Sequence, residues 1–172
     1  MNKTPQDVLL FQAVTVNDPK LFSIIEALLI KLYGKIEMDY GMFDFSSFSQ
    51  YYREEMGKKL YKKFYIFSSP VSLENFYRFK LESISMERIY QKDNKRSVNI
   101  DPGYLALYQL SLLTTKAFSH RTYLAEGIYA ECTLIAEKEQ YKPLKWTYPD
   151  YQTPEALGFF AKGKTYLKSM SR

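Results

Sequence analysis

One cysteine and one histidine in 172 residues exclude most chemistry that needs either residue in numbers. Cys132 alone cannot form an internal disulfide or a thiolate-rich metal site. His120 alone does not supply the several Cys and His ligands that zinc draws. Apolar runs are short, and a stretch such as Leu28–Ile30 falls far below the ~20 residues of a membrane-spanning helix. Met1 to Asp7 is polar with no hydrophobic signal region, so a cytoplasmic protein without membrane contact is expected. With seven Gly and seven Pro there is no low-complexity linker, and no internal repeat is visible. A single domain over residues 1–172 follows, since domains run from about 50 to 250 residues.

Aromatic residues and positive charge are abundant. Sixteen Tyr and twelve Phe can pack a core or line a half-wet cleft, because tyrosine joins an apolar body to a polar tip. A net charge of +5 favours anionic partners such as phosphates, nucleic acid or acidic proteins, without choosing among them.

Along the chain, Val8 to Val16 reads as a buried strand. Asp18-Pro19 is a helix start, Leu21, Ile24, Ile25, Leu28, Leu29 and Leu32 follow at helical spacing, and Gly34 is placed to stop the helix. Ile36 to Phe45 and Leu60 to Phe67 are predicted strands, with Phe48 to Gly57 a loop or short helix between them. In the first of these, Ile36, Met38, Tyr40 and Met42 share a face. A second helix is expected from Ser72, carrying Leu73, Phe76, Tyr77, Leu81 and Ile84 on one stripe. Gln91 to Arg96 is an exposed turn and Ser97 to Ile100 a short strand. Asp101-Pro102 repeats the helix-start signal, which predicts a third helix over Tyr104 to Thr115. His120 to Leu124 and Ile128 to Ile135 pair as a hairpin, and Thr153-Pro154-Glu155 opens a last helix. The expected fold is a layered α+β sandwich on an antiparallel or mixed sheet, with a ferredoxin-like βαββαβ start followed by a helix, a hairpin and a C-terminal helix.

The candidate site residues fall between Asn99 and Tyr151. Asn99 and Asp101 share a strand face ahead of the expected helix start at Pro102, Gly103 and Tyr104, where free N–H groups suit phosphate. Asp101 beside bound phosphate could hold Mg²⁺, or it could simply cap the helix. Lys116 and Arg121 could clamp phosphate or carboxylate, with His120 exchanging a proton; a hydrogen-bonded structural histidine is the alternative. Glu131 could act as a base or metal ligand, or pair with Arg121 across the hairpin as an ordinary ion pair. Trp146, Asp150 and Tyr151 belong to an aromatic loop that could cover a flat ligand or plug the core. A catalytic assignment would fall on Asp101, His120 and Glu131, with the others binding. Lys58, Lys59, Lys62 and Lys63 interleave with Tyr61, Phe64, Tyr65 and Phe67, a pattern an RNA-binding sheet would use. Neither a G-x-x-x-x-G-K-[ST] phosphate loop nor a G-x-G-x-x-G fingerprint is expected, and Cys132 is poorly placed for nucleophilic work.

The chain resembles a family of bacterial proteins of about this length, each one domain of unknown function. The resemblance rests on Phe43-Asp44-Phe45, Tyr51-Tyr52 with Glu55-Met56-Gly57, Asn99 to Tyr104, Thr115-Lys116, His120-Arg121, Gly127 to Glu131 and Trp146 to Tyr151. Members often carry the label "GTP-binding protein", so the resemblance implies GTP as one ligand to test. Two positions depart from the family pattern. Ala117 stands where an acidic residue often follows the lysine, and Ser83-Ile84 replaces a Thr-Asn pair. The expected function is binding of a nucleotide or another phosphorylated ligand. The alternatives are an RNA-binding module and a non-catalytic adaptor for another protein.

Overall fold

The computed structural model describes residues 7–48 and 52–170. Most of the polar N-terminal stretch, and Tyr51 of the Tyr51-Tyr52 pair, lie outside them. The chain opens with β1 (Val8–Val16), α1 (Leu21–Tyr33), β2 (Ile36–Asp44), α2 (Arg53–Met56) and β3 (Tyr61–Val71). It continues through α3 (Arg78–Ile89), the small hairpin β4 (Gln91–Lys92) and β5 (Lys95–Arg96), then β6 (Val98–Leu105) and β7 (Gln109–Thr114). β8 (Arg121–Ala125), β9 (Ile128–Glu137), β10 (Gln140–Pro143), a 3₁₀ turn at Pro149–Tyr151 and α4 (Pro154–Met170) complete it.

Among the described residues, eight strands form one antiparallel sheet in the order β10-β9-β7-β6-β1-β3-β2, with β8 on β9. The segment β6-β1-β3-β2 has the order of a split β-α-β unit, which is the ferredoxin-like start expected above. α1 and α3 cover one face, where Phe22, Ile25, Leu29 and Met86 meet Leu10, Val14, Phe67 and Ile100. α4 covers the other, where Phe159, Phe160 and Leu167 meet Leu9, Phe11, Phe64 and Ile66. Both faces being covered explains why every residue of β1 is buried and why it reads as an apolar run broken only by Gln12 and Thr15.

Local signals act as expected at several points. Lys20 N–H donates to Asp18 Oδ1 (3.0 Å) ahead of α1, and Gly34, at φ 85°, returns its N–H to Ile30 O (2.9 Å). Thr153 Oγ1 accepts from Ala156 N–H (3.2 Å), capping α4. α1 turns its Ile25 and Leu29 inward and leaves Ile24 and Leu32 exposed, so its apolar stripe is wider than the face it buries. In β2, register shifts after Ile36 and Gly41 break the alternation: Met38, Tyr40 and Phe43 pack under α4, Ile36 packs on the other face and Met42 is exposed.

Two expectations are corrected. Regular α3 begins at Arg78 rather than Ser72, after turns that bury Phe76. The helix predicted over Tyr104 to Thr115 is instead the end of β6 and all of β7, joined by a tight turn closed by Ala106 N–H to Gln109 O (2.8 Å). Asp101-Pro102 misled because Pro is normally foreign to a central strand. Here β6 pairs with β1 along its length, but with β7 only from Gly103 to Leu105, so Pro102 sits on a stretch whose second edge is open.

Candidate functional site

That open edge builds the site. β7 leaves β6 at Leu112 and follows β9 up to Thr114, so the strands separate beyond Gly103. A cavity of about 370 Å³ fills the separation. Its walls are Asn99 and Asp101 of β6, Leu112 to Lys116 on and after β7, Glu131 of β9 and Lys62 of β3. Phe45, Phe48, Tyr52 and Tyr148 add an aromatic rim, and Pro149, Asp150 and Tyr151 complete the lining.

Without β7, Ile100 has a strand on its β1 edge alone, and a buried N–H or C=O on the open edge must find other partners. α3 supplies them. Ile100 N–H donates to Glu87 Oε1 (2.8 Å), and Lys80 Nζ donates to Ile100 O (2.8 Å). Lys80 also donates to Asp101 Oδ1 (3.0 Å), Asn99 Nδ2 to Asp101 Oδ2 (2.7 Å), and Arg96 Nη1 to both Asn99 Oδ1 (2.9 Å) and Glu87 Oε2 (2.7 Å). These contacts close a ring from Lys80 through Asp101, Asn99, Arg96, Glu87 and Ile100 back to Lys80. Arg96 further holds Glu55 of α2 by two parallel bonds, Nε to Oε1 (2.5 Å) and Nη2 to Oε2 (2.9 Å). Burial works to raise the Asp101 pKa, but Lys80 and Lys62 outweigh it and hold the carboxyl below its usual range. Each of its oxygens accepts one bond, Oδ1 from Lys80 and Oδ2 from Asn99. Among the described residues no cluster of three or more His, Cys, Asp or Glu side chains could hold a metal ion.

Opposite this ring stands Glu131, 1% exposed. Arg121 faces it directly across the hairpin, and its Nε donates to Glu131 Oε2 (2.7 Å). His120 Nε2 lies 3.0 Å from the same oxygen. Arg121 Nη2 donates to the Tyr148 hydroxyl (3.0 Å) and Nη1 to Lys116 O (3.0 Å), which ties the β8 edge to both sides of the cavity. Behind them His120 stacks on Trp146 with centroids 4.8 Å apart. β8 and β10 share one edge of β9 and leave a gap at Cys132 and Thr133. Trp146 Nε1 donates to Cys132 O (2.8 Å) and Thr147 Oγ1 to Thr133 O (2.5 Å), closing that gap with side chains. Burial pushes the Cys132 thiol upward, which keeps it protonated.

At the base, Lys62 and Asp150 form a fully buried pair (2.6 Å), with the ammonium 4.4 Å from the Phe45 ring centre and 5.1 Å from that of Tyr151. Burial also drives the Tyr151 hydroxyl well above its ordinary pKa, so it stays neutral. Two of the residues that line the cavity stand out. Glu131 Oε1 and the Tyr151 hydroxyl are buried and have no hydrogen-bond partner. Among the described residues, the other such atoms are the two polar ends of Gln12, which lies away from the cavity in the middle of β1.

Of the residues singled out from sequence, Asn99, Asp101, Lys116, Glu131, Asp150 and Tyr151 line the cavity. His120, Arg121 and Trp146 stand behind Glu131 and act on the cavity through it and Tyr148. Gly103 and Tyr104 lie in the paired half of β6: a Cβ at Gly103 would collide with the Phe11 ring and the Ser111 carbonyl, and Tyr104 packs on Phe76. There is no helix start at Pro102 to bind an anion. Sequence reasoning missed Lys80, Glu87 and Arg96. The signal for the first two was their seven-residue spacing, two charged residues on the buried face of a helix. Arg96 sits in a polar hairpin and gave none.

A further correction concerns phosphate motifs. Gly158-Phe159-Phe160-Ala161-Lys162-Gly163-Lys164-Thr165 does spell G-x-x-x-x-G-K-T, against the expectation that no such string is present. The structure places all eight residues inside α4. A phosphate loop needs free backbone N–H groups between a strand and a helix, whereas interior helical N–H groups are already bonded. Gly163 packs beneath Ile66 and Leu105, and Lys164 donates to Lys138 O. The string forms no phosphate loop.

A family model described as a domain of unknown function, DUF4416, matches residues 6–166. The chain belongs to the DUF4416 family. Its match spans both halves of the sheet and every wall of the cavity. No curated protein matches the sequence, and no solved structure matches the chain.

Proposed function

We propose that this DUF4416 protein binds a small polar ligand, a nucleotide or another phosphorylated molecule, in the cavity between β6 and β7. The observation that carries the reading is that two residues lining one 370 Å³ cavity each keep a buried, unpartnered polar atom, Glu131 Oε1 and the Tyr151 hydroxyl. An unsatisfied buried polar group costs about 1–3 kcal/mol, a cost that a bound ligand removes. The volume falls in the ordinary range of ligand pockets, about 300–1,000 Å³. The lining cations Lys62, Lys80, Arg96 and Lys116 outnumber the lining carboxylates Asp101, Glu131 and Asp150 by one, which supports an anionic group on the ligand. A carboxylate partner such as Asp101 or Asp150 would exchange with phosphate for part of that charge.

The RNA reading keeps its charge argument and loses its strand. β3 is interior to the sheet, and the rings of Phe64, Tyr65 and Phe67 are fully buried, so they present no stacking surface.

Thermal unfolding with GTP, ATP, GMP and pyrophosphate, each with and without Mg²⁺, tests the proposal. A ligand at a hundred times its Kd adds about 2.7 kcal/mol of stability and raises the transition. A rise with at least one of them, abolished by Glu131→Gln, is the expected result. No rise with any of the eight conditions removes the reading.

A further inference from the structure

The proposal that the cavity holds a ligand leaves its chemistry open, and Glu131 narrows it. An ionised carboxylate only accepts hydrogen bonds. Its Oε2 already meets Arg121 Nε and His120 Nε2, while Oε1 meets nothing. The group that completes it must therefore donate. A cationic donor would bring an unmatched charge to a site whose charges are already paired, Glu131 with Arg121, Lys62 with Asp150, Lys80 with Asp101 and Arg96 with Glu55 and Glu87. A neutral N–H adds no charge. Tyr151 can donate or accept, and its ring is fixed by Phe64 (centroids 4.8 Å apart) and Phe160 (5.7 Å, parallel), so its hydroxyl is held in place. The rim is aromatic, with Tyr52, Phe48 and Tyr148 offering ring surfaces to a flat molecule.

We propose that Glu131 and Tyr151 read the edge of an uncharged, planar, N–H-bearing ring, of the lactam or cyclic imide kind found in oxo-purines and pyrimidine-diones. The inference rests on the proposed ligand-binding role of the cavity. In this arrangement Glu131 Oε1 accepts the ring N–H, and Arg121 and His120 orient the carboxylate from behind. Arg121 and His120 are positioning residues, since neither reaches the ring itself.

The test is isothermal titration of the intact protein with matched probes: inosine against 1-methylinosine, uridine against 3-methyluridine, and pyrophosphate alone. Methylation replaces the N–H and leaves the rest of each ring in place. The expected result is that the N–H member of at least one pair binds about tenfold to a hundredfold more tightly than its methylated partner. Tyr151→Phe, which keeps the packed ring, is expected to weaken that binding about tenfold with little change in the urea midpoint. Glu131→Gln should erase the preference between N–H and N-methyl forms. Equal affinity for both members of each pair overturns this inference and leaves the ligand-binding proposal intact. So does binding of pyrophosphate with no binding of any nucleoside. Binding of neither pyrophosphate nor nucleosides overturns this inference, and the nucleotide unfolding series then decides whether the wider proposal falls with it.

Discussion

β6 contains two halves with one partner in common and opposite surroundings. Gly103 to Leu105 lies between β1 and β7, and its contacts are apolar: Leu105 and Leu112 join the core under α4, and Phe11 packs over Gly103. Val98 to Pro102 keeps β1 on one edge and loses β7 on the other. There the backbone of Ile100 is satisfied by Lys80 and Glu87, and charged side chains crowd where hydrophobic ones stand a few residues later. The comparison teaches that a cavity inside a sheet has to be built from side-chain hydrogen bonds. Opening a ladder exposes polar backbone, and helix-borne charges that can reach it become necessary to the fold as well as available to a ligand.

Substitutions can break this contrast. The largest expected effect is Lys62→Ala, which leaves Asp150 buried without its partner (2.6 Å in the native protein) and should cost about 3–5 kcal/mol in urea denaturation. Combining Lys62→Met with Asp150→Leu should recover much of that loss, because an apolar pair of similar volume needs no partner. If the double variant is as unstable as the single one, the pair supports the fold through more than its charge. In the paired half, Gly103→Ala forces a methyl against the Phe11 ring and the Ser111 carbonyl, and should cost about 1–3 kcal/mol by overpacking. A neutral outcome there would mean that the close packing of β6 on β7 is not what holds the seam shut.

Thr153→Ala removes the cap of α4 at the end of the aromatic loop and should lower stability by about 1 kcal/mol, read from the thermal midpoint. The gentlest probe is pH. Asp101 and Glu55 are both held below their ordinary values of 3.8 and 4.5. Burial opposes the shift at Asp101 and Lys80 with Lys62 produces it, whereas the Arg96 hydrogen bonds lead at Glu55. A depressed carboxyl adds stability that is complete above its unfolded value and is lost as the pH falls through its folded value. Unfolding midpoints should therefore hold from neutrality to about pH 5 and decline below that. Lys80→Met should flatten the part of the decline that Asp101 contributes, while a substitution in the paired half should leave the slope unchanged.

Much of the fold was legible because its signals are local. The β-branched run of β1, the Asp18-Pro19 start and Gly34 stop of α1, the β8–β9 hairpin and the Thr153 cap each depend on a few neighbouring residues. The misplaced helix has a different cause. Asp101-Pro102 carries the same letters as a helix start, yet the partner strand that ends at Gly103 makes Pro102 acceptable in a sheet. The G-x-x-x-x-G-K-T string is a separate case: it is plain in the sequence against the expectation of none, and it lies inside α4, where it forms no phosphate loop. The candidate site was half legible: Asn99, Asp101, Glu131 and Asp150 were marked by residue type, and the Arg121–Glu131 pair by hairpin register. Lys80, Glu87 and Arg96 were not, because what gives them a role is an open backbone edge 13 to 20 residues from the two helical residues along the chain.

By itself the sequence determined an α+β fold on an antiparallel or mixed sheet, the ferredoxin-like order of its first half and the polar character of the stretch from Asn99 to Tyr151. Periodicity, caps and turn residues are properties of neighbours, and they survive without any knowledge of what packs where. Tertiary structure decided where β6 and β7 part, which charges close the ring around Ile100, and that Glu131 and Tyr151 end in one cavity with atoms still unbonded. Those outcomes depend on strand pairing and helix docking between distant segments, where a hydrogen bond is needed only because another was not made.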